Sequence, residues 1–137
     1  MSASVPASPI VDALLAHAKA SLPTSYQVCD ATGPTAPGDD CPYVVLYADP
    51  GIAEGMPFSP NRELMMTFSW RAVGLTRDQS SRGGDRIRAA FDGVTLDVGG
   101  RSVHMWQTYA NSVQRDDSLA PLVLFEHLIL FQLRSVA

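Results

Sequence analysis

The stretch ELMMTFSWRAV, residues 63–73, alternates too regularly to fold as anything but a strand. Leu64, Met66, Phe68, Trp70 and Ala72 fall on one side of a two-residue period, and Thr67, Ser69 and Arg71 on the other. One face is therefore buried and the other polar, the pattern of an antiparallel sheet covered on one side. The only other stretch of comparable length is LVLFEHLILFQLRSV, residues 122–136. Phe125, His127, Ile129, Phe131 and Leu133 share one of its faces, and Leu128 and Leu130 share the other. Its length also suits a helix, but its β-forming residues favour a strand, partly covered on both faces, at the centre of a sheet or running into a subunit interface.

Shorter elements fit around these two. Ser8-Pro9 is a helix-start signal, and Ile10, Val11, Leu14, Leu15 and Ala18 recur at helical spacing. A helix is predicted over about 9–20, stopped by Pro23. SYQVCD and CPYVVLYAD are strand candidates, separated by the Gly/Pro loop ATGPTAPGDD. A second loop over 49–62 carries three prolines and two glycines, which predicts no regular structure there. VTLDVGGRSVHMWQTYA predicts a hairpin turning at Gly99-Gly100, and NSVQRDD an extension of the sheet at an edge. With a second helix at about 77–91, the expectation is an α+β fold: a mostly antiparallel sheet with two helices packed against it. We expect one domain over 1–137, with a loose leader at about 1–7.

Bulk properties narrow the function. The 137 residues suit one domain with its own core, and 46% hydrophobic against 18% charged residues is a globular balance. The net charge of −4 argues against a free-standing nucleic-acid binder, which needs a basic surplus to displace counterions. Nine of the ten basic residues are arginine, with Lys19 the one lysine, a compositional bias that lowers the weight of any single arginine. No run approaches the roughly 20 apolar residues of a membrane span, and the first residues lack the pattern of a signal peptide. Synthesis in a cytoplasm is the expectation.

AVGLTRDQSSRGGDRIRAAFDG, residues 72–93, is the one stretch that invites an active-site reading. It does not sustain one. A P-loop needs a second glycine and a lysine that are missing here. A dinucleotide fingerprint needs its glycines in the turn before the helix, whereas Gly83 and Gly84 lie inside it. Thr76 and Gln79 read as a helix cap with its reciprocal partner, and Asp78 sits where a bound anion would be repelled. Asp78 with Arg82, and Ser81 with Asp85, are spaced one helical turn apart, so Arg82, Arg86 and Arg88 read as a solvated face. Ile87, Ala90 and Phe91 form the predicted buried stripe. Gly83 and Gly84 each weaken the helix by about 1 kcal/mol relative to alanine, which close approach to a sheet or to a neighbouring subunit would explain. His17, His104 and His127 have no metal-ligand spacing. No nucleophile motif is present, and Asp39-Asp40 and Asp116-Asp117 read as solvated turns. No catalytic residue, cofactor or metal is expected.

The order of motifs over about 63–135 is recognisable. WRAVGLTRDQSSRGGDRIRAAFDG ends a long strand and runs into a helix; VTLDVGGRSVHMWQ and VQRDDSLAPLVLFEHLILFQLRS follow. This resembles the tail terminator proteins of long-tailed bacteriophages, particularly those of actinobacteria. In that group a strand ending in a glycine, a helix carrying D-R-I-R-A-A and a G-R-x-V strand precede a last apolar strand. Gly83-Gly84 and the length of the 49–62 loop depart from the pattern. The resemblance implies a non-enzymatic structural protein of the virion, made in the host cytoplasm and placed at the tail–neck junction. It implies a homo-oligomer, a hexameric ring that caps the tail tube. Its partners would be the major tail (tube) protein and a head–tail connector or head-completion protein, with no membrane contact. DNA would pass through the lumen without specific binding, which an acidic wall favours.

Two further residue pairs acquire a meaning in that setting. Met56 and Phe58 are apolar in an otherwise turn-rich loop and would serve a subunit or tail-tube interface, or else fold back on their own subunit. Cys29 and Cys41 bracket the first loop; a disulfide there would add about 3 kcal/mol in a chain-entropy treatment. Synthesis in the cytoplasm favours thiols, and exposure on a virion permits the bridge. Another neck protein, and more remotely a small α+β ligand-binding module or enzyme, are the alternatives.

Overall fold

The computed structural model describes residues 8–34, 42–49, 52–54 and 63–136. The element order is α1 (Ser8–Ser21), β1 (Gln27–Asp30), β2 (Tyr43–Ala48), β3 (Ile52–Glu54), β4 (Glu63–Gly74), α2 (Arg77–Phe91), β5 (Thr95–Val98), β6 (Arg101–Ala110), β7 (Gln114–Asp116) and β8 (Leu124–Val136). The strands form one eight-stranded sheet in the order β1-β2-β4-β8-β6-β5; β3 joins beside β4 and β7 beside β8. Every pairing is antiparallel except β1 with β2, so the sheet is mixed rather than purely antiparallel.

The two long strands lie side by side at the centre and pair from Leu64–Ser135 to Gly74–Phe125. The alternation predicted for them is present. Leu64, Met66, Phe68, Trp70 and Ala72 of β4, with Ile129, Phe131 and Leu133 of β8, are each no more than 2% exposed. Both helices pack on this face. Helix α1 contributes Ile10, Leu14 and Ala18, and α2 contributes Ile87, Ala90 and Phe91. Phe91 is the plug of the seam. Its ring meets Phe68 and Phe131 edge-on, both at 6.0 Å, and lies 5.4 Å from Trp70, while Phe68 stacks on Phe131 at 5.1 Å.

One loop expectation is corrected. Residues 52–54 within the 49–62 loop form β3, which pairs Ile52 with Met65 and Glu54 with Glu63. The breakers Pro50, Gly51 and Gly55 flank this segment and none lies inside it. The three residues thus keep the backbone donors that a proline such as Pro50 lacks. The hairpin between β5 and β6 turns as predicted, with φ of 59° at Gly99 and 83° at Gly100, angles that glycine adopts without strain. NSVQRDD does supply an edge strand, β7.

The glycine pair in α2 is explained by the sheet beneath it. A Cβ on Gly84 would stand 2.4 Å from Cδ2 of His127 on β8, and one on Gly83 would stand 3.0 Å from Cε1 of Tyr26 and 3.1 Å from Cβ of Ala72. The helix backbone therefore rests directly on the strands at the turn where other residues would hold it away. Thr76 caps the helix by accepting from the Gln79 N–H at 3.2 Å, and Gln79 Oε1 accepts from the Leu75 N–H at 2.8 Å. The reciprocal bond reaches one residue further back than the capping box predicts. Ser80, buried just inside the cap, donates to the Ala72 carbonyl at 2.9 Å and ties α2 to β4.

Candidate functional site

The helices cover one face of the sheet; no helix among the described residues covers the other. Tyr43, Val45, Val73 and Leu124, which alternate away from the core, bury one another on that side in a second, smaller cluster, and the remaining residues of that face make the outer surface. Its centre is uncharged and reads across the strands in rows. Tyr47 lies opposite Ser69, Ser69 opposite Leu130, and Leu130 opposite Tyr109. The next row runs Thr67, Gln132, Trp106. Tyr47 is 37% exposed and Tyr109 57%, and Leu130 and Trp106 are half-buried. A register shift between Gln107 and Tyr109 bends β6 at this point.

Charges flank this band in pairs. At one end Arg134 Nη2 reaches Glu63 Oε2 at 2.8 Å. At the other, Arg71 Nη1 stands 3.4 Å from Glu126 Oε2, with its guanidinium 5.8 Å from the Tyr47 ring centre. Asp116 of β7 joins this second group. It accepts from the Ser118 N–H at 2.9 Å and lines the same pocket as Glu126. Burial raises the Glu126 carboxyl above its ordinary value against the opposing pull of Arg71, and the bonds from Ser118 lower Asp116. These side chains line a pocket of about 220 Å³ floored by Tyr43, Val73 and Leu124.

Several sequence-derived expectations are placed by this geometry. The Asp78–Arg82 ion pair forms at 3.0 Å between exposed side chains, whereas Asp85 pairs with Arg88 at 2.6 Å rather than with Ser81. The three histidines are dispersed. His17 Nε2 meets the Ala90 carbonyl at 2.8 Å, joining the two helices. His104 Nδ1 meets Thr95 Oγ1 at 2.9 Å on the surface. His127 is buried beneath Gly84, and neither ring nitrogen has a hydrogen-bond partner among the described residues. Among the described residues no three His, Cys, Asp or Glu side chains gather as metal ligands, and no helix is long and apolar enough to cross a membrane. Cys29 lies half-buried on β1, opposite Val45. Cys41, Met56 and Phe58 lie outside the described residues, as does the Asp39-Asp40 pair.

Asp116 corrects its own expectation. It belongs to β7, not to a solvated turn, and lines one pocket with Glu126; only Asp117 lies outside the strand, paired with Arg115 at 2.8 Å. Sequence reasoning missed the Arg71–Glu126–Asp116 group because its members come from three strands. The alternation had already put Arg71 on the polar face; the pairing of Ala72 with His127, which brings Glu126 beside Arg71, was the hidden part.

No protein-family model matches the chain, and no curated protein matches it. Solved structures do. A chain in the virion of a native gene transfer agent particle superposes with a TM-score of 0.58 at 17% identity, over 88% of this chain and 84% of that one. A second solved protein, described by an identifier alone, also gives 0.58, at 15% identity, over 95% of this chain and 92% of its own. At these identities the likeness is one of fold.

Proposed function

We propose that this protein is a structural component of a phage or phage-like virion, and that it caps the tail tube as a ring. In that role it ends tail elongation and offers the surface to which the head joins. The observation that carries the reading is the shared fold with a chain of a gene transfer agent virion, over nearly all of both chains. The motif order over about 63–135 supports the narrower role of terminator, and a hexamer is the ring order we assign. The open sheet face adds physical support, since a neutral, partly apolar band rimmed by paired charges is suited to burial against protein. A net charge of −4 fits a wall past which DNA slides. The partners in this reading are the major tail protein on one side and a connector or head-completion protein on the other. Met56 and Phe58 are the loop residues we assign to subunit or tube contact.

The test is to delete the gene in the phage that encodes it and image the lysate by electron microscopy. A terminator predicts headless tails of uncontrolled length, restored by supplying the protein in trans. Tails of normal length that fail to join heads would instead make it a head-completion protein, the reading the sequence also supports. Normal, infective particles would refute both. Met56→Asp with Phe58→Asp, supplied in trans, asks about the loop: completed tails would remove it from the interface.

A further inference from the structure

Helix α2 is basic in a chain whose net charge is −4. It carries Arg77, Arg82, Arg86 and Arg88 against Asp78 and Asp85. The Asp78–Arg82 and Asp85–Arg88 pairs use up both aspartates. Arg77 and Arg86 are left exposed, with no ion pair among the described residues. Arg86 stands between two grooves of about 310 and 320 Å³, one walled by Ser25 and Tyr26, the other by His17 and Val94. Because the inner side of α2 rests on the core face of the sheet, its outer side and the open sheet face lie on opposite sides of the subunit.

The open face has the reverse charge. Among the described side chains its strands bring Glu63, Asp97, Asp116 and Glu126 to that side against Arg71 and Arg134. The Arg134–Glu63 and Arg71–Glu126 pairs leave Asp97 and Asp116 without an ion pair. Between the charges lies the neutral band of Tyr47, Trp106, Tyr109 and Leu130, apolar enough to gain from burial. The two surfaces also match in length. The 15 residues of α2 span about 22 Å. The run of β8 from Leu124, opposite Asp116, to Leu130, opposite Tyr109, spans about 20 Å. Sheet against sheet would set acid surplus on acid surplus, and helix against helix would set Arg77 and Arg86 on themselves. Sheet against helix pairs opposite signs.

We propose that α2 of one copy docks across the open sheet face of a second copy, its free arginines toward the acidic rim at Asp116 and its grooves over the protruding Tyr109 ring. This rests on the ring reading above and names the faces that meet in the ring. Two different patches on opposite sides make a heterologous contact, which repeats from copy to copy and closes when the rotation allows. Opposite surplus charge orients the encounter, so association strengthens as salt is lowered.

The experiment is sedimentation velocity on the full chain, up to millimolar concentration, at low and high salt. Wild type should self-associate, more strongly at low salt. A helix variant, Arg77→Glu with Arg86→Glu, and a sheet variant, Tyr109→Arg with Asp116→Arg, should each associate at least about tenfold more weakly alone. Mixed in equal amounts they should reassemble, because reversed helix meets reversed sheet and the unaltered faces meet each other. Thermal unfolding checks that both are folded. Where a reversal does not fold, Arg86→Ala and Tyr109→Ser serve: each weakens self-association, and their mixture recovers one intact contact per pair. A wild type monomeric at low salt, a loss confined to one variant, or a mixture no better than its components would overturn the proposal. The gene deletion reads tail capping separately. Uncontrolled tails beside a monomeric wild type would remove this contact and leave capping; normal particles beside a restored mixture would do the reverse.

Discussion

Gly84→Ala should destabilise this protein, although alanine is the best helix former and glycine nearly the worst. Two effects oppose each other. The helix gains about 1 kcal/mol from propensity when a mid-helix glycine becomes alanine. Against this, the new Cβ would lie 2.4 Å from His127 Cδ2 and 3.3 Å from His127 Cγ. The first distance is far inside van der Waals contact, and the imidazole cannot swing clear: His127 is only 6% exposed and stands on the central strand. Overpacking of this kind costs roughly 1–3 kcal/mol. The balance is a net loss of up to about 2 kcal/mol, which for a chain of this length lowers Tm by several degrees.

The decisive measurement is a double-mutant cycle, by urea or thermal unfolding, of Gly84→Ala, His127→Ala and both together. His127→Ala alone removes the obstacle and leaves a cavity. Gly84→Ala in that background should then be stabilising, since propensity acts unopposed and the added methyl fills space. The coupling should fall in the roughly 0.5–3 kcal/mol range of residues in contact. Gly83→Ala offers a graded comparison. Its nearest contacts, 3.0 Å to Tyr26 and 3.1 Å to Ala72, ask for a shift of only a few tenths of an ångström, so its effect should lie closer to zero. A Gly84→Ala variant more stable than wild type, with His127 intact, would refute the account of why the helix needs its glycine pair.

Two further outcomes follow from the same seam. His127 is pushed below its ordinary value of 6.5 first by burial and then by Arg88. Its folded-state value is therefore lower than its unfolded one, and the unfolded chain takes up the proton first. The contribution is intact above about pH 6.5 and lost as pH falls through the folded value, so urea midpoints should drop between pH 7 and 5 and drop less in His127→Leu. Thr76→Ala should cost about 1 kcal/mol through the lost cap, measured by thermal unfolding, and Thr76→Ser should restore most of it.

How far the sequence revealed this molecule depended on how far apart its partners lie along the chain. The long strands were legible because a buried face every second residue is a local pattern, and β4 needs no knowledge of its neighbours to declare it. Thr76 with Gln79, Asp78 with Arg82 and the Gly99-Gly100 turn were legible for the same reason: each partner is within four residues. β3 was missed because three residues between breakers carry too short a period to register, and only β4 beside them makes them a strand.

The open sheet face failed to appear for a deeper reason. Its character lies in what crosses the strands, not in what runs along them. Ser69 is an unremarkable polar residue until Tyr47, Leu130 and Tyr109 are set beside it from 22, 61 and 40 positions away. Arg71 and Glu126 are charges on separate strands until the register brings them to 3.4 Å. Even Gly83-Gly84, read from sequence as a weakness in the helix, needed His127 from across the chain to become a contact surface. A local signal of strain with no local cause, such as two glycines inside a well-capped helix, is the one kind of long-range information a single sequence does print. It marks the place where another element must come close, without saying which.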